Sequence, residues 1–162
     1  MSIDYNAHEA ENLLRHCEFF QDFSPDDLEV LTQYIDIRNG HRGDVLYFEN
    51  EQADAMYVVA QGRVELLIND EDGQPRLVGW LGPAESFGEL ALLLRGRRMV
   101  TVRATNDVLL YELSLASFMR MRTNHPDVCL LVVMSGVKRF GQVMSASQDL
   151  LRRFMLHQLS RV

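Results

Sequence analysis

Cysteine is scarce: the 162 residues hold two, Cys17 and Cys129, with no motif spacing between them. That excludes a disulfide framework and a cysteine-rich metal cluster, and predicts reduced core thiols in a cytoplasmic setting. The four prolines, Pro25, Pro75, Pro83 and Pro126, leave long stretches free for regular structure. No run approaches the roughly 18 apolar residues of a membrane span, so none is expected. The N-terminus, MSIDYNAHEAEN, lacks the basic region and apolar core of a secretory signal. The five histidines, His8, His16, His41, His125 and His157, are scattered and fall mostly outside the strand-like runs. They offer no metal cluster, and neither Ser86 nor the serines of the last helical stretch have a histidine base at useful spacing. The chain is accordingly not expected to be an enzyme, and no cofactor or metal is expected.

What is present is an ordinary globular composition, 47% apolar and 24% charged, with a net charge of −7. The charge is uneven. Up to Leu113 there are 21 acids and 9 bases, and from Ser114 onward 2 acids and 7 bases. A basic C-terminal helix could touch phosphates, but seven bases over that length make a thin footprint for nucleic acid and suit solvated arginines better.

Three segments are expected: helices over 1–33, a β-roll over 34–113, and helices over 114–162. In the first, His8 to Cys17 precedes the cluster Phe19, Phe20, Phe23. Ser24-Pro25-Asp26-Asp27 is a strong helix start, with a serine cap, proline at the first helical position and two acids at the positive end of the dipole. Leu28, Leu31 and Ile35 then recur at helical spacing. From Tyr34 the period becomes two, giving strands Tyr34–Arg38, Val45–Phe48, Met56–Ala60, Val64–Ile68, Arg76–Leu81, Val100–Ala104 and Val108–Leu113. Glycines and Gly-Pro turns punctuate them, as in a sandwich, roll or barrel. Asn69 to Gly73 is a polar hairpin loop that lacks the distal Glu of a calcium loop.

Helical period returns at Ser114, stops before Pro126, and resumes from Asp127 to about Leu159, with Gly136 and Gly141 as weak points. Leu130, Val133, Val137, Phe140, Met144, Ser147, Leu151, Phe154 and Gln158 follow each other at spacings of three and four. This heptad-like seam could lie on its own domain or on a twin helix. No helix-turn-helix module fits in the remaining residues.

The segment FGELALLLRGRRMVTVRA, Phe87 to Ala104, places an acid and a base around the greasiest part of the roll. A short helix from Gly88 would aim free backbone N–H groups at one point, with glycine permitting close approach. Arg98 could return its planar fork to the same point, where it would match two phosphate oxygens. A carboxylate beside that anion makes sense if Glu89 accepts from a hydroxyl of the same ligand, which describes a sugar phosphate ester. The alternative is that Glu89 and Arg98 simply pair and hold helix to strand. Spacing alone leaves both open.

Phe87-Gly88-Glu89-Leu90-Ala91-Leu92, then Arg98, then Thr101-Val102-Arg103-Ala104 closely resembles the phosphate-binding cassette of cyclic nucleotide-binding domains. That family includes catabolite activator proteins, regulatory subunits of cAMP-dependent kinase and cyclic nucleotide-gated channels. Phe19 to Ser24 with Leu28 resembles the family's entry helices. Gly43 to Tyr47 and Met56 to Val64 resemble its early strands, and His125-Pro126 its turn before a long helix. The resemblance implies a mixed α+β fold: an antiparallel jelly-roll type β-roll (double-stranded β-helix) with N-terminal helices and a long C-terminal helix.

It also implies a stand-alone sensor whose ligand is cAMP, or cGMP. Arg98 would bind the cyclic phosphate and Glu89 the ribose 2′-hydroxyl. Phe87, Gly88, Leu90, Ala91, Met99 and Val100 would complete the site, with backbone N–H groups near Ala91 and Met99. The C-terminal helix would act as lid and homodimer seam, read by a protein effector. Three departures stand out. Met99 replaces a small or hydroxyl residue and could crowd the site. Asn50 replaces a common glycine. Val143 and Met144 lie where activator-type members carry purine-binding hydroxyls, leaving Ser145 and Ser147 nearby. The competing expectation is a degenerate member that kept the fold, lost the ligand and serves as a protein-interaction module.

Overall fold

The computed structural model describes residues 6–159. The order is α1 (Ala7–Arg15), a 3-10 turn (Glu18–Phe20), α2 (Pro25–Thr32), β1 (Asp36–Gly40), β2 (Val45–Tyr47), β3 (Ala55–Gln61), β4 (Val64–Asn69), β5 (Pro75–Leu81), β6 (Ser86–Phe87), α3 (Glu89–Leu93), β7 (Thr101–Ala104), β8 (Val108–Ser114), α4 (Leu115–Asn124) and α5 (Pro126–Leu159). All strand pairs are antiparallel, in two four-stranded sheets ordered β1-β8-β3-β6 and β2-β7-β4-β5. This is the expected roll between helices.

The central strands bury both faces, so β3 and β8 read as nearly continuous apolar runs whose successive side chains enter two different cores. In β3, Ala55, Tyr57 and Val59 point between the sheets, while Met56 and Val58 point to the helices. In β8, Val108 and Leu110 point inward and Leu109, Tyr111 and Leu113 outward. The outward core gathers Ala10 and Leu14 of α1, Phe19, Phe20, Leu28 and Leu31, and Val128, Cys129 and Val132 of α5. Leu92 of α3 is in that core too, and its burial, worth roughly 2 kcal/mol, anchors the short helix from below.

Local signals account for the element ends. Ser24 Oγ accepts from the Asp27 N–H, and Asp27 returns a bond to the Ser24 N–H, a capping box worth about 1 kcal/mol. Ser114 Oγ accepts from the Ser117 N–H and caps the start of α4. Asn50, which stands in place of a common glycine, has φ 69, a left-handed angle that asparagine accepts. The junction of α4 and α5 is tied to the end of α2, with Tyr34 Oη and His125 Nδ1 2.6 Å apart.

Several boundaries differ from expectation. The first strand starts at Asp36, not Tyr34. The Tyr34 and Ile35 N–H groups still bond back to Leu31 and Thr32, and their side chains fill the helix-facing core. β6 went unforeseen because two residues carry no readable alternation; Tyr57 and Val58 pair with it. β7 begins at Thr101, one residue after the expected start.

In α5 the first turns are core, whereas Leu130, Val133, Met134, Val137, Phe140 and Met144 are exposed. Gly136 sits against Leu93 of α3 so closely that a Cβ there would run into the leucine side chain. The expected seam continues through Leu151, Phe154 and Gln158, whose side chains lie outside the described residues. Among the described residues one helix segment, Pro126–Leu150, is long and apolar enough to cross a membrane by length and composition, with mean hydropathy 1.3 over its best window. Its charged residues, Asp127, the adjacent Lys138 and Arg139, and Asp149, still keep every unbroken apolar run short. The buried side chains of its first turns lie in the protein core.

Candidate functional site

The cassette is built around one glycine. Gly88 takes φ +81 as the cap of α3, a left-handed conformation that suits glycine, and a Cβ there would sit 2.5 Å from Arg98 Nη1. The missing side chain is what lets Arg98 lie against the start of the helix. Leu92 N–H bonds back to the Gly88 carbonyl, so the preceding N–H groups of the first turn have no acceptor within the helix.

A cavity of about 230 Å³ opens over this turn. All eight residues expected at the site, Phe87, Gly88, Glu89, Leu90, Ala91, Arg98, Met99 and Val100, line it. Tyr47, Leu66, Leu81, Ser86, Arg139 and Val143 complete the wall. Met99 lines the cavity from its rim, where it is 68% exposed. On the α5 side Val143 is apolar, as expected. Met144 points to solvent, Ser147 Oγ donates to the Val143 carbonyl, and neither Ser145 nor Ser147 reaches the wall. A smaller cavity of about 90 Å³ lies beyond Ser86 and Arg139, toward Cys17 and Ser135.

Glu89 and Arg98 are 5% and 2% exposed, and they are not partners of each other. Arg98 Nη1 donates to the Gly88 carbonyl at 3.3 Å and Nη2 to Asp54 Oδ1 at 3.4 Å, both long. Asp54 is itself 84% exposed in its side chain, so water competes for that contact. Nε of Arg98 is buried with no partner. The guanidinium lies over the Tyr47 ring, 4.0 Å from its centroid. Glu89 instead meets Arg139 of α5, with Nε 3.3 Å from Oε1. Burial pushes the Glu89 carboxyl above the ordinary carboxylate value, opposed by its own backbone N–H and by Arg139. Burial likewise raises the phenol of Tyr47 well beyond the usual tyrosine range, with Arg98 pulling the other way.

The cavity thus brings together a buried cation with an unused donor and a buried acid held from another helix, groups whose chemistry complements an anion that carries a hydroxyl. Asp54, Tyr47 and Arg139 were missed from the sequence. Tyr47 shows only an inward-facing strand position, and Arg139 is one of several arginines on a solvated helix. Among the described residues no group of three or more His, Cys, Asp or Glu could hold a metal.

Residues 37–125, more than half of the chain, match the cyclic nucleotide-binding domain family. The chain belongs to that family. The cyclic AMP receptor protein of Thermus thermophilus is 32% identical over 94 residues, 58% of this chain. The chain spans 44% of that relative's length. The N-terminal domain of a transcriptional regulator from Streptomyces coelicolor superposes with a TM-score of 0.73 at 27% identity, covering 83% of this chain and 94% of that one. The regulatory domain of Toxoplasma gondii PKA, crystallised with cAMP, gives 0.65 at 26% identity, covering 70% and 43%. As a cyclic nucleotide-binding domain, the chain places its cassette, 87–104, inside the matched region.

Proposed function

We propose that this domain is a cytoplasmic sensor of a cyclic nucleotide, with cAMP as the ligand and cGMP as the second candidate. The observation that carries the reading is Arg98: a 2% exposed guanidinium with an unpartnered Nε on the wall of an open cavity. A cation buried at that cost needs an anion, and a phosphodiester supplies two oxygens for its fork. The first-turn N–H groups of α3 add to the same anion. Glu89 accepts from the ribose 2′-hydroxyl, sharing its carboxylate with Arg139. The base lies against Val143, Met99, Val100 and Leu66, so its recognition rests on packing. The α5 helix, which supplies Arg139 and Val143, closes as a lid, and ligand shifts its position for a protein effector. The domain's part is regulatory, with no catalytic step.

Isothermal titration of cAMP and cGMP into the protein should give heat that Arg98→Ala abolishes. No heat from either nucleotide, at protein concentrations well above micromolar, would sink the reading. It would favour the second one, a family fold serving as a protein-interaction module, for which the existing Glu89–Arg139 pair is the favouring observation.

The exposed seam of α5 suits a homodimer, because Leu130, Val137, Phe140 and Met144 would otherwise face water. Light scattering on the eluting protein should give twice the 18.6 kDa chain mass. A monomer with and without nucleotide rejects the dimer and leaves the binding reading intact.

A further inference from the structure

We infer that Tyr47 is the positioning residue for Arg98, holding the guanidinium by its face so that its N–H edge stays available to a ligand anion. The inference deepens the cyclic nucleotide reading and rests on it for the ligand alone. The hydrogen bonds of Arg98 cannot fix it: those to Gly88 and Asp54 are 3.3 and 3.4 Å long, one reaches an exposed carboxylate, and Nε has none. The well-placed neighbour is the Tyr47 ring at 4.0 Å, within the range of a strong cation–π contact, and both groups are buried. Burial matters because the attraction grows where water is excluded.

The ring is itself immobilised. Tyr47 is 6.1 Å from Phe87 and 6.2 Å from Tyr57, and Phe87 stacks on Tyr57 at 5.2 Å. Arg38 donates to Tyr57 Oη at 2.8 Å and so braces the far end of the aromatic row. Face contact suits a binding arginine better than a salt bridge would. It uses none of the N–H donors, so an arriving phosphate competes only with the two long bonds to Gly88 and Asp54.

Two variants separate the ring's face from its hydroxyl and from simple volume. Tyr47→Phe keeps the face, while Tyr47→Leu keeps only apolar bulk; Tyr47→Met substitutes for the leucine variant if that one fails to fold. Proton–nitrogen NMR of the arginine side chains, in ligand-free protein, is the first readout. The Arg98 Hε signal, assigned by its loss in Arg98→Lys, should be ring-shifted in wild type and Tyr47→Phe. In the leucine or methionine variant it should move most of the way to the ordinary arginine position, with only the more distant Tyr57 ring, 5.8 Å from the guanidinium, left to shift it. An unmoved signal there overturns the inference whether or not nucleotide binds.

Titration with cAMP is the second readout. Tyr47→Phe should stay within about threefold of wild type, and Tyr47→Leu should bind about 10-fold more weakly, the scale of a desolvated cation–π contact. Equal losses in the two variants would assign the role to the hydroxyl and reject the inference. Absence of cAMP heat in wild type would reject the nucleotide reading and leave the NMR result to decide Tyr47 by itself.

Discussion

Arg98 and Glu89 stand at two ends of one cassette and are held in different ways. Arg98 is held wholly by the roll: the Tyr47 ring, the Gly88 carbonyl and Asp54 all precede it in the same unit. Glu89 is held from outside, by Arg139 of a helix that begins after the last strand. The cation end is therefore complete once the sheets have formed, whereas the acid end is complete only when α5 is docked. A ligand bridging both would report on the helix through the acid and on the roll through the base.

The strongest break in this comparison is Arg98→Ala. Two charge-assisted bonds of roughly 1.5–3 kcal/mol each would go, so cAMP affinity should fall at least 100-fold by titration, while α5 keeps its amide-exchange protection. Glu89→Gln preserves shape and loses the charge, and should weaken cAMP about 10-fold.

The same variant has a pH signature with a definite sign. The folded carboxyl is raised above its ordinary 4.5 by burial, so the folded protein holds the proton more tightly than the unfolded chain does. Stability is thus greatest below that value and falls as pH rises through the raised one, where burying the charge begins to count. Thermal melts across this window should decline more in wild type than in Glu89→Gln. Parallel curves would remove Glu89 as the titrating group.

Smallest in affinity and most telling for the comparison is Arg139→Ala. It should cost only a few-fold in cAMP binding, yet raise amide exchange in α5 around 136–143 and leave 98–104 unchanged. A matching rise at 98–104 would mean that the two ends are not held independently.

Much of the fold was legible because strands such as β3 and β8 are short apolar runs bounded by turn residues, and because Ser24 is a cap that reads locally. The cassette was legible as a string of residues, and the structure places that string on one cavity. What could not be read was what holds it. Tyr47 is 51 positions from Arg98, and Arg139 is 50 from Glu89; contacts at such separations leave no period and no local motif. The two-residue β6 was invisible for the opposite reason, being too short for a period.

The close seat of Gly136 on Leu93 restricts how α5 can travel. Sliding the helix along its axis by one turn, about 5.4 Å, would bring Val132 or Phe140 to the place where Gly136 now leaves room for the Leu93 side chain. Axial sliding in either direction would therefore have to push the Leu93 side chain aside, and the present register of α5 on the roll is the one that leaves it in place. The freedom left to the helix is to lift or swing about that notch. A swing would displace Arg139, within one turn of the notch, far less than it displaces the distant end of the seam, so a small change at Glu89 would arrive at the far end of α5 as a large one.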